Sequence, residues 1–114
     1  MWLFTTTGFY SIVKKHDENI LQVRARSAVD LDNLRNKYMP ELGKTVLSTY
    51  TDYKCRAFIS HSDFAKGLAK IGENIDYSNF KAKIGTINRI RERIYSEVWA
   101  VMLGLERLSN TKSK

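Results

Sequence analysis

ILQVRARSAVDLDNLRNKY, residues 20–38, is the stretch in which the hydrophobic pattern changes from the period of a strand to that of a helix. Its first part alternates apolar and polar residues, with the apolar positions Leu21, Val23 and Ala25. Its second part places apolar residues at helical spacing, namely Leu31, Leu34 and Tyr38. Between the two, Ser27-Ala28-Val29-Asp30 resembles a capping box with aspartate in place of glutamate. The stretch therefore predicts a half-buried strand followed by a helix that ends near Met39, before Pro40.

The segment before this stretch also favours a strand. Residues 2–14 are rich in aromatic and β-branched types and predict one strand with a bend or bulge at Gly8. His16-Asp17-Glu18-Asn19 is polar and typical of a turn. We therefore expect the two strands on either side of it to pair as an antiparallel hairpin.

Residues 45–60 predict a further strand, interrupted near Thr51-Asp52. Alternation turns one set of its side chains toward the core: Tyr53, Cys55, Ala57 and Ile59. It leaves a second set on the other face: Lys54, Arg56 and Phe58. Ser60 or Ser62 is expected to cap the following helix, whose inward residues are Phe64, Leu68, Ile71 and Ile75.

The C-terminal part of the chain carries the strongest helical pattern. Its apolar residues fall on one stripe with a period of 3.6 residues. They are Phe80, Ile84, Ile87, Ile90, Ile94, Val98, Val101, Met102, Leu105 and Leu108. An unbroken helix over this span would be roughly 45 Å long, whereas a globule of this size has a radius of gyration of about 13 Å. We therefore expect a break near Gly85, or a helix that projects past the body.

These elements predict an α+β fold in the order ββαβαα, an antiparallel sheet of three or four strands with helices packed on one face. We expect one domain over residues 1–108 and a frayed polar tail over residues 109–114.

The composition shows an excess of basic over acidic residues. The 114 residues include 19 Lys and Arg against 12 Asp and Glu, a net charge of +7. No apolar run approaches the roughly 18 residues of a membrane helix. The single cysteine excludes an internal disulfide framework. The sequence predicts a cytoplasmic protein with no cofactor, no metal site and no membrane partner.

Basic side chains on the predicted sheet point to nucleic acid as a partner. If helices cover the face that carries Val23 and Ala57, a basic group with one aromatic residue emerges on the other face: Arg24, Arg26, Lys54, Arg56 and Phe58. Guanidinium groups can bind phosphates and an exposed ring can stack on an unpaired base. The alternative is a solvated basic face without a ligand, because antiparallel sheets often leave one face in water.

The last helix offers two further surfaces. A second basic group surrounds it, comprising Lys81, Lys83, Arg89 and Arg93, although Arg93 can pair with Glu97 on the same helix. Trp99 and Leu103 lie beside the apolar stripe and would suit a homodimer or another protein contact. The alternative is that the N-terminal strand covers them.

Catalytic patterns are scarce. His16 and His61 lack the spacing of metal ligands, and Cys55 is expected to be a buried small hydrophobe. A metal-independent ribonuclease would need a basic pocket and a general acid or base. His61 with Arg56, Lys54 and either Tyr53 or Tyr50 supplies those residue types, although alternation points Tyr53 away from Arg56.

Several segments resemble a family of small uncharacterised bacterial proteins. They are Met1-Trp2-Leu3-Phe4, Gly8-Phe9-Tyr10-Ser11-Ile12-Val13, Leu21-Gln22-Val23-Arg24-Ala25-Arg26, Thr51-Asp52-Tyr53-Lys54-Cys55-Arg56-Ala57-Phe58, Asp76-Tyr77-Ser78-Asn79-Phe80-Lys81 and Tyr95-Ser96-Glu97-Val98-Trp99-Ala100-Val101-Met102. The resemblance implies a free-standing bacterial or phage-related domain and carries over no activity, cofactor or functional residue.

The first functional hypothesis is accordingly a small binding module that engages RNA or single-stranded DNA through a basic sheet face. The second is a protein-interaction or homodimeric adaptor module that uses the C-terminal helix, and the third is the ribonuclease.

Overall fold

A computed structural model describes residues 1–15 and 19–112 of the chain. The chain forms two compact units, Met1–Ile75 and Asp76–Lys114. The first contains a sheet and two helices, and the second contains helices. The α+β class and the antiparallel sheet are confirmed. The expectation of one domain over residues 1–108 stays a prediction, and each unit is described by itself.

The sheet has five strands, one more than the upper limit predicted. They are β1 Trp2–Thr5, β2 Gly8–Lys14, β3 Ile20–Ala25, β4 Val46–Leu47 and β5 Cys55–Ser60. Their order across the sheet is β1-β2-β3-β5-β4, and every neighbouring pair is antiparallel. Residues 2–14 form a hairpin rather than one bent strand, because the chain reverses at Thr6-Thr7 and pairs Thr5 with Gly8. The predicted interruption near residues 51–52 separates β4 from β5.

Helices α1 Ala28–Lys37 and α2 His61–Glu73 contact the sheet, and both begin at a serine N-cap. The Ser27 hydroxyl accepts the Asp30 N–H, and the Ser60 hydroxyl accepts the Asp63 N–H, as predicted. The main core lies entirely within the first unit: its members include Tyr10, Ile12, Val23, Ala57, Leu31, Leu34, Met39 and Phe64. Ile75 was expected to face inward, but α2 ends at Glu73 and Ile75 is exposed.

The β1–β2 hairpin is fastened to the start of α1. Gly8 has a φ of 156°, and a Cβ at this position would collide with the side chain of Asp30. One carboxylate oxygen of Asp30 accepts the Phe9 N–H at 3.1 Å, and its carbonyl accepts the Tyr10 hydroxyl at 2.7 Å. Asp30 thus joins the first turn of the helix to β2.

The second unit consists of α3 Phe80–Ile87, α4 Arg89–Met102 and α5 Gly104–Lys112. The break expected near Gly85 lies at Asn88, which has extended dihedral angles and caps α4 by accepting the Arg91 N–H. Gly85 is inside α3, where a Cβ would lie 2.5 Å from Oε1 of Glu92. Gly85 therefore does not end a helix, and the Glu92 carboxylate of α4 lies over it.

The full order is thus βββαββαααα, so the predicted ββαβαα is only roughly right. Part of the predicted polar tail is helical, since α5 continues to Lys112. Residues 113–114 lie outside the described residues, and the fraying of the tail stays a prediction.

The apolar stripe of the C-terminal helices is mostly exposed. Ile84 is buried, whereas Phe80 and Val98 are half-buried. The remaining members are exposed: Ile87, Ile90, Ile94, Val101, Met102, Leu105 and Leu108. α4 instead buries Tyr95, whose ring stacks on Phe80 with the centroids 5.9 Å apart. No helix in the described residues is long and apolar enough to cross a membrane.

Candidate nucleic-acid interface

One cross-strand row runs over the sheet face that α1 and α2 leave uncovered. The register pairs Trp2 with Ser11, Ser11 with Arg24, and Arg24 with Arg56. Arg24 lies between Val23 and Ala25, which are both in the core, so its side chain is on the opposite face. The two arginines predicted to share a face are therefore direct neighbours.

Arg24 and Arg56 form a pair of like charges. Arg24 donates from Nη2 to the Ser11 hydroxyl at 2.7 Å, and Arg56 donates from Nη1 to the Gln22 side-chain oxygen at 3.3 Å. Both Nε atoms are buried without an acceptor. Neither residue has an ion pair in the described part of the chain. Like charges placed directly opposite each other in a sheet repel, so this site carries uncompensated positive charge.

Tyr53 lies beneath the arginines, although alternation predicted that it faces the core with Cys55. β5 begins only at Cys55, so the alternation of the strand does not reach residue 53. The guanidinium carbons of Arg24 and Arg26 lie 4.8 and 4.5 Å from the centre of the Tyr53 ring. The ring is 8% exposed and forms a cation–π contact with each arginine.

Three aromatic residues of the β1–β2 hairpin extend this cluster. The rings of Phe4 and Phe9 stack with centroids 4.5 Å apart, and Trp2 meets Phe9 edge-on at 5.8 Å. Phe9 also lies 6.5 Å from Tyr53, next to the arginines. We call the whole group the arginine–aromatic face; its members are Trp2, Phe4, Phe9, Arg24, Arg26, Tyr53 and Arg56.

Sequence reasoning missed the four aromatic members of this face. Residues 2–14 were treated as one strand, and a single strand cannot stack Phe4 on Phe9. The hairpin register, which pairs Phe4 with Phe9, makes that contact. The aromatic residues on either side of Thr6-Thr7, at positions 4 and 9, would have been the signal for a hairpin in which they pair.

The other two predicted site residues lie on or beside the same surface. Phe58 is 40% exposed and pairs in register with Gln22, two positions along β5 from Arg56. Lys54 is exposed and precedes β5, where its carbonyl accepts the Ser48 N–H. Arg26 donates from Nη1 to the backbone carbonyl of Asp52 at 2.7 Å. Among the described residues, no carboxylate forms an ion pair with Arg26.

The second basic group makes mostly local contacts. Lys81 lies over the Trp99 ring, with Nζ 3.7 Å from its centre. Lys83 pairs with Asp76 at 3.3 Å, and Arg89 pairs with Glu92 at 3.8 Å.

Arg93 is exposed, and its expected ion pair with Glu97 is not formed. Trp99 and Leu103, the predicted partner contact, are also exposed. These positions leave the protein-contact hypothesis as a prediction.

The residues of the ribonuclease hypothesis do not meet. Nδ1 of His61 lies 2.8 Å from the Asn19 side-chain oxygen, at the end of β5 opposite to Lys54. His61 follows Arg56 by five positions along extended chain, or roughly 17 Å. Cys55 is buried as expected, and His16 lies outside the described residues. Within the described ranges no three His, Cys, Asp or Glu residues could hold a metal ion.

A polar depression outside all predicted sites lies at the hairpin turn. It has a volume of about 410 Å³ and is lined by Thr6, Thr7, Asn33, Asn36 and Lys37. Asn33 donates from its side chain to the Thr7 carbonyl at 3.2 Å, so it fastens the turn to α1.

No protein-family model, no curated protein and no solved structure matches the chain. The resemblance to a bacterial family therefore stays a prediction, and the candidate interface rests on the geometry of its own residues.

Proposed function

We propose that this protein binds single-stranded nucleic acid, RNA or DNA, through the arginine–aromatic face. The observation that carries the proposal is the Arg24–Arg56 pair: the register places the two arginines directly opposite each other, and among the described residues no carboxylate pairs with either of them. Native proteins rarely leave such repulsion uncompensated, and a phosphate group would relieve it. We place this activity in the cytoplasm, where both ligands occur.

The aromatic half of the face favours single strands over duplexes. Trp2 is 65% exposed at the edge of the sheet, and Phe58 is exposed beyond Arg56. Bases in a single strand can stack on such rings, whereas the bases of a duplex are stacked on each other. A sheet that offers phosphate contacts beside exposed rings thus suits an unpaired strand.

The guanidinium groups are also held in place before a ligand arrives. The Ser11 hydroxyl and the Tyr53 ring both contact Arg24, and the Gln22 side chain contacts Arg56. Binding therefore does not have to immobilise long flexible side chains, which would cost roughly 0.5–1.5 kcal/mol each.

The test is fluorescence anisotropy with a labelled RNA of about 20 nucleotides over a salt series. We expect the double variant Arg24→Gln, Arg56→Gln to bind more weakly and to lower the log–log salt slope by about 1.4, since each phosphate contact on a single strand contributes about 0.7. The control Lys66→Gln, Lys70→Gln removes the same charge from exposed positions of α2. It should leave the slope unchanged.

Two results would contradict the proposal. An equal loss in both double variants would show that net charge, rather than this face, determines binding. Absence of binding to RNA and single-stranded DNA at about 50 mM salt would remove the nucleic-acid function altogether.

Trp2→Ala tests the stacking part of the proposal separately. Loss of one base–aromatic contact costs about 1–3 kcal/mol, so binding to single strands should weaken by about 5- to 150-fold. The salt slope should not change, because no phosphate contact is lost. A duplex of the same sequence should bind equally to the wild-type protein and to Trp2→Ala.

A further inference from the structure

The helices α4 and α5 present a continuous apolar seam to solvent. Its residues recur at alternating spacings of four and three: Ile94, Val98, Val101, Leu105 and Leu108. This is the a/d spacing of a heptad repeat, the pattern by which one helix packs lengthwise against another. All of these residues are exposed except Val98, which is half-buried.

The seam continues across the junction of the two helices. Leu103 has right-handed helical dihedral angles, with φ −59° and ψ −21°. Its N–H donates to the Ala100 carbonyl at 3.2 Å, and its carbonyl accepts the Glu106 N–H at 3.0 Å. Leu103 therefore keeps helical dihedral angles at the tight turn that joins α4 to α5, which is compatible with Val101 and Leu105 on one side.

From this we propose that α4 and α5 pair with the same helices of a second copy of the chain. The inference goes beyond the proposed function and does not rest on it. A twofold interface requires a patch that complements itself, and an uncharged seam meets this requirement because two copies bring no like charges together. From Ile94 to Leu108, the a and d positions carry no ionisable residue.

The exposed area approaches what a stable dimer buries. Ile90 and Met102 flank the seam. These two residues and the four exposed members of the seam are each between 50% and 77% exposed. With roughly 200 Å² for a fully exposed residue of this size, these six residues present on the order of 700 Å² per chain. A standard stable interface buries about 800 Å² per partner, so these six residues would supply most of that area if all of it were buried.

Two neighbours of the seam, Arg91 and Trp99, are already engaged within the chain. Arg91 lies three residues before Ile94, at the preceding position of the repeat, and donates to the Tyr95 hydroxyl at 2.8 Å. It therefore marks the N-terminal limit of the seam. Trp99 and Leu103 lie outside the a and d positions, and Trp99 carries Lys81 over its ring. A dimer through the seam is thus distinct from a contact through Trp99 and Leu103.

The experiment is sedimentation equilibrium of the full chain over a wide concentration range. We expect the wild-type protein to approach twice the mass of one chain, and Ile94→Glu, Val101→Glu to raise the dimer Kd at least about a hundredfold. The matched control is Ala100→Glu, Leu103→Glu, which adds the same two charges to exposed positions away from the seam. It should dimerise as the wild-type protein does.

Circular dichroism would check that both variants keep their helices, which is expected because all four positions are exposed. A wild-type protein that stays monomeric at the highest concentration would overturn the proposal. So would loss of the dimer in the control pair with retention in the seam pair, which would move the interface to the Leu103 side.

Discussion

At the scale of single residues, Tyr53 organises the candidate interface. Its ring contacts the guanidinium groups of Arg24 and Arg26 and adjoins Phe9, so one side chain joins the basic and aromatic parts of the face. Each cation–π contact stabilises the fold by roughly 0.5–1 kcal/mol at exposed sites and by more where water is excluded. The ring therefore contributes both to stability and to the position of the charges.

We expect Tyr53→Leu to lower the free energy of unfolding by about 1–2 kcal/mol, because it removes both cation–π contacts but keeps an apolar side chain. Urea denaturation measures this change. The control is Tyr50→Leu, at a position 96% exposed, which should change stability by less than about 0.5 kcal/mol. Equal effects at the two positions would show that the Tyr53 contacts do not stabilise the protein.

The position of Tyr53 also shows where sequence reasoning fails at this scale. The alternating pattern correctly separated Cys55, Ala57 and Ile59 from Arg56 and Phe58, because all five residues lie within β5. It was wrong for residue 53, which precedes the strand. The alternation of a strand determines the direction of a side chain only where the backbone is extended and paired with another strand. A local sequence pattern does not show which strand is the partner or where the pairing begins.

At the scale of elements, the contact between the β1–β2 hairpin and α1 depends on the absence of a side chain at residue 8. The Asp30 carboxylate occupies the space above Gly8 while it accepts the Phe9 N–H. The hairpin turn and the first turn of the helix consequently come closer together than any residue with a Cβ would allow. The same contact sets the position of Phe9 on the other face of the sheet.

Gly8→Ala should therefore destabilise the protein by roughly 2–4 kcal/mol, since it combines an unfavourable φ with a steric collision. Gly72→Ala is the natural control, because a Cβ there meets no atom within 4 Å and lies near the end of α2. It should be neutral or stabilise by up to about 1 kcal/mol. Thermal unfolding should show a lower Tm for Gly8→Ala and an unchanged or higher Tm for Gly72→Ala; a neutral Gly8→Ala would contradict the role of this contact.

Elements were predictable where their signals are local. The serine caps of α1 and α2 and the interruption between β4 and β5 depend on residues close in sequence, and they are confirmed. The β1–β2 hairpin was missed because Thr6-Thr7 is not one of the Gly- or Asn-containing pairs that mark tight turns. The apolar stripe predicted helices correctly, but periodicity does not say whether the core or a partner covers an apolar face.

At the scale of the whole molecule, the two proposed surfaces belong to different compact units. The main core and the arginine–aromatic face lie in Met1–Ile75, and the apolar seam lies in Asp76–Lys114. Positive charge is shared between them: residues 1–75 contain 11 Lys and Arg against eight Asp and Glu, and residues 76–114 contain eight against four. Net charge therefore does not identify the binding unit, whereas the arrangement of charges does.

This division predicts that a chain truncated after Ile75 folds cooperatively and keeps the nucleic-acid site but loses the dimer. The main core is complete within the first unit, so its packing does not need the C-terminal helices.

The binding measurement should use an oligonucleotide of about eight nucleotides, so that two sites of a dimer do not engage one strand. Equal salt slopes for the truncated and full-length chains are expected, together with a monomeric truncated chain by sedimentation. If the truncated chain folds and the slope nevertheless falls, the helical unit contributes phosphate contacts, and the arginine–aromatic face is then only part of the interface.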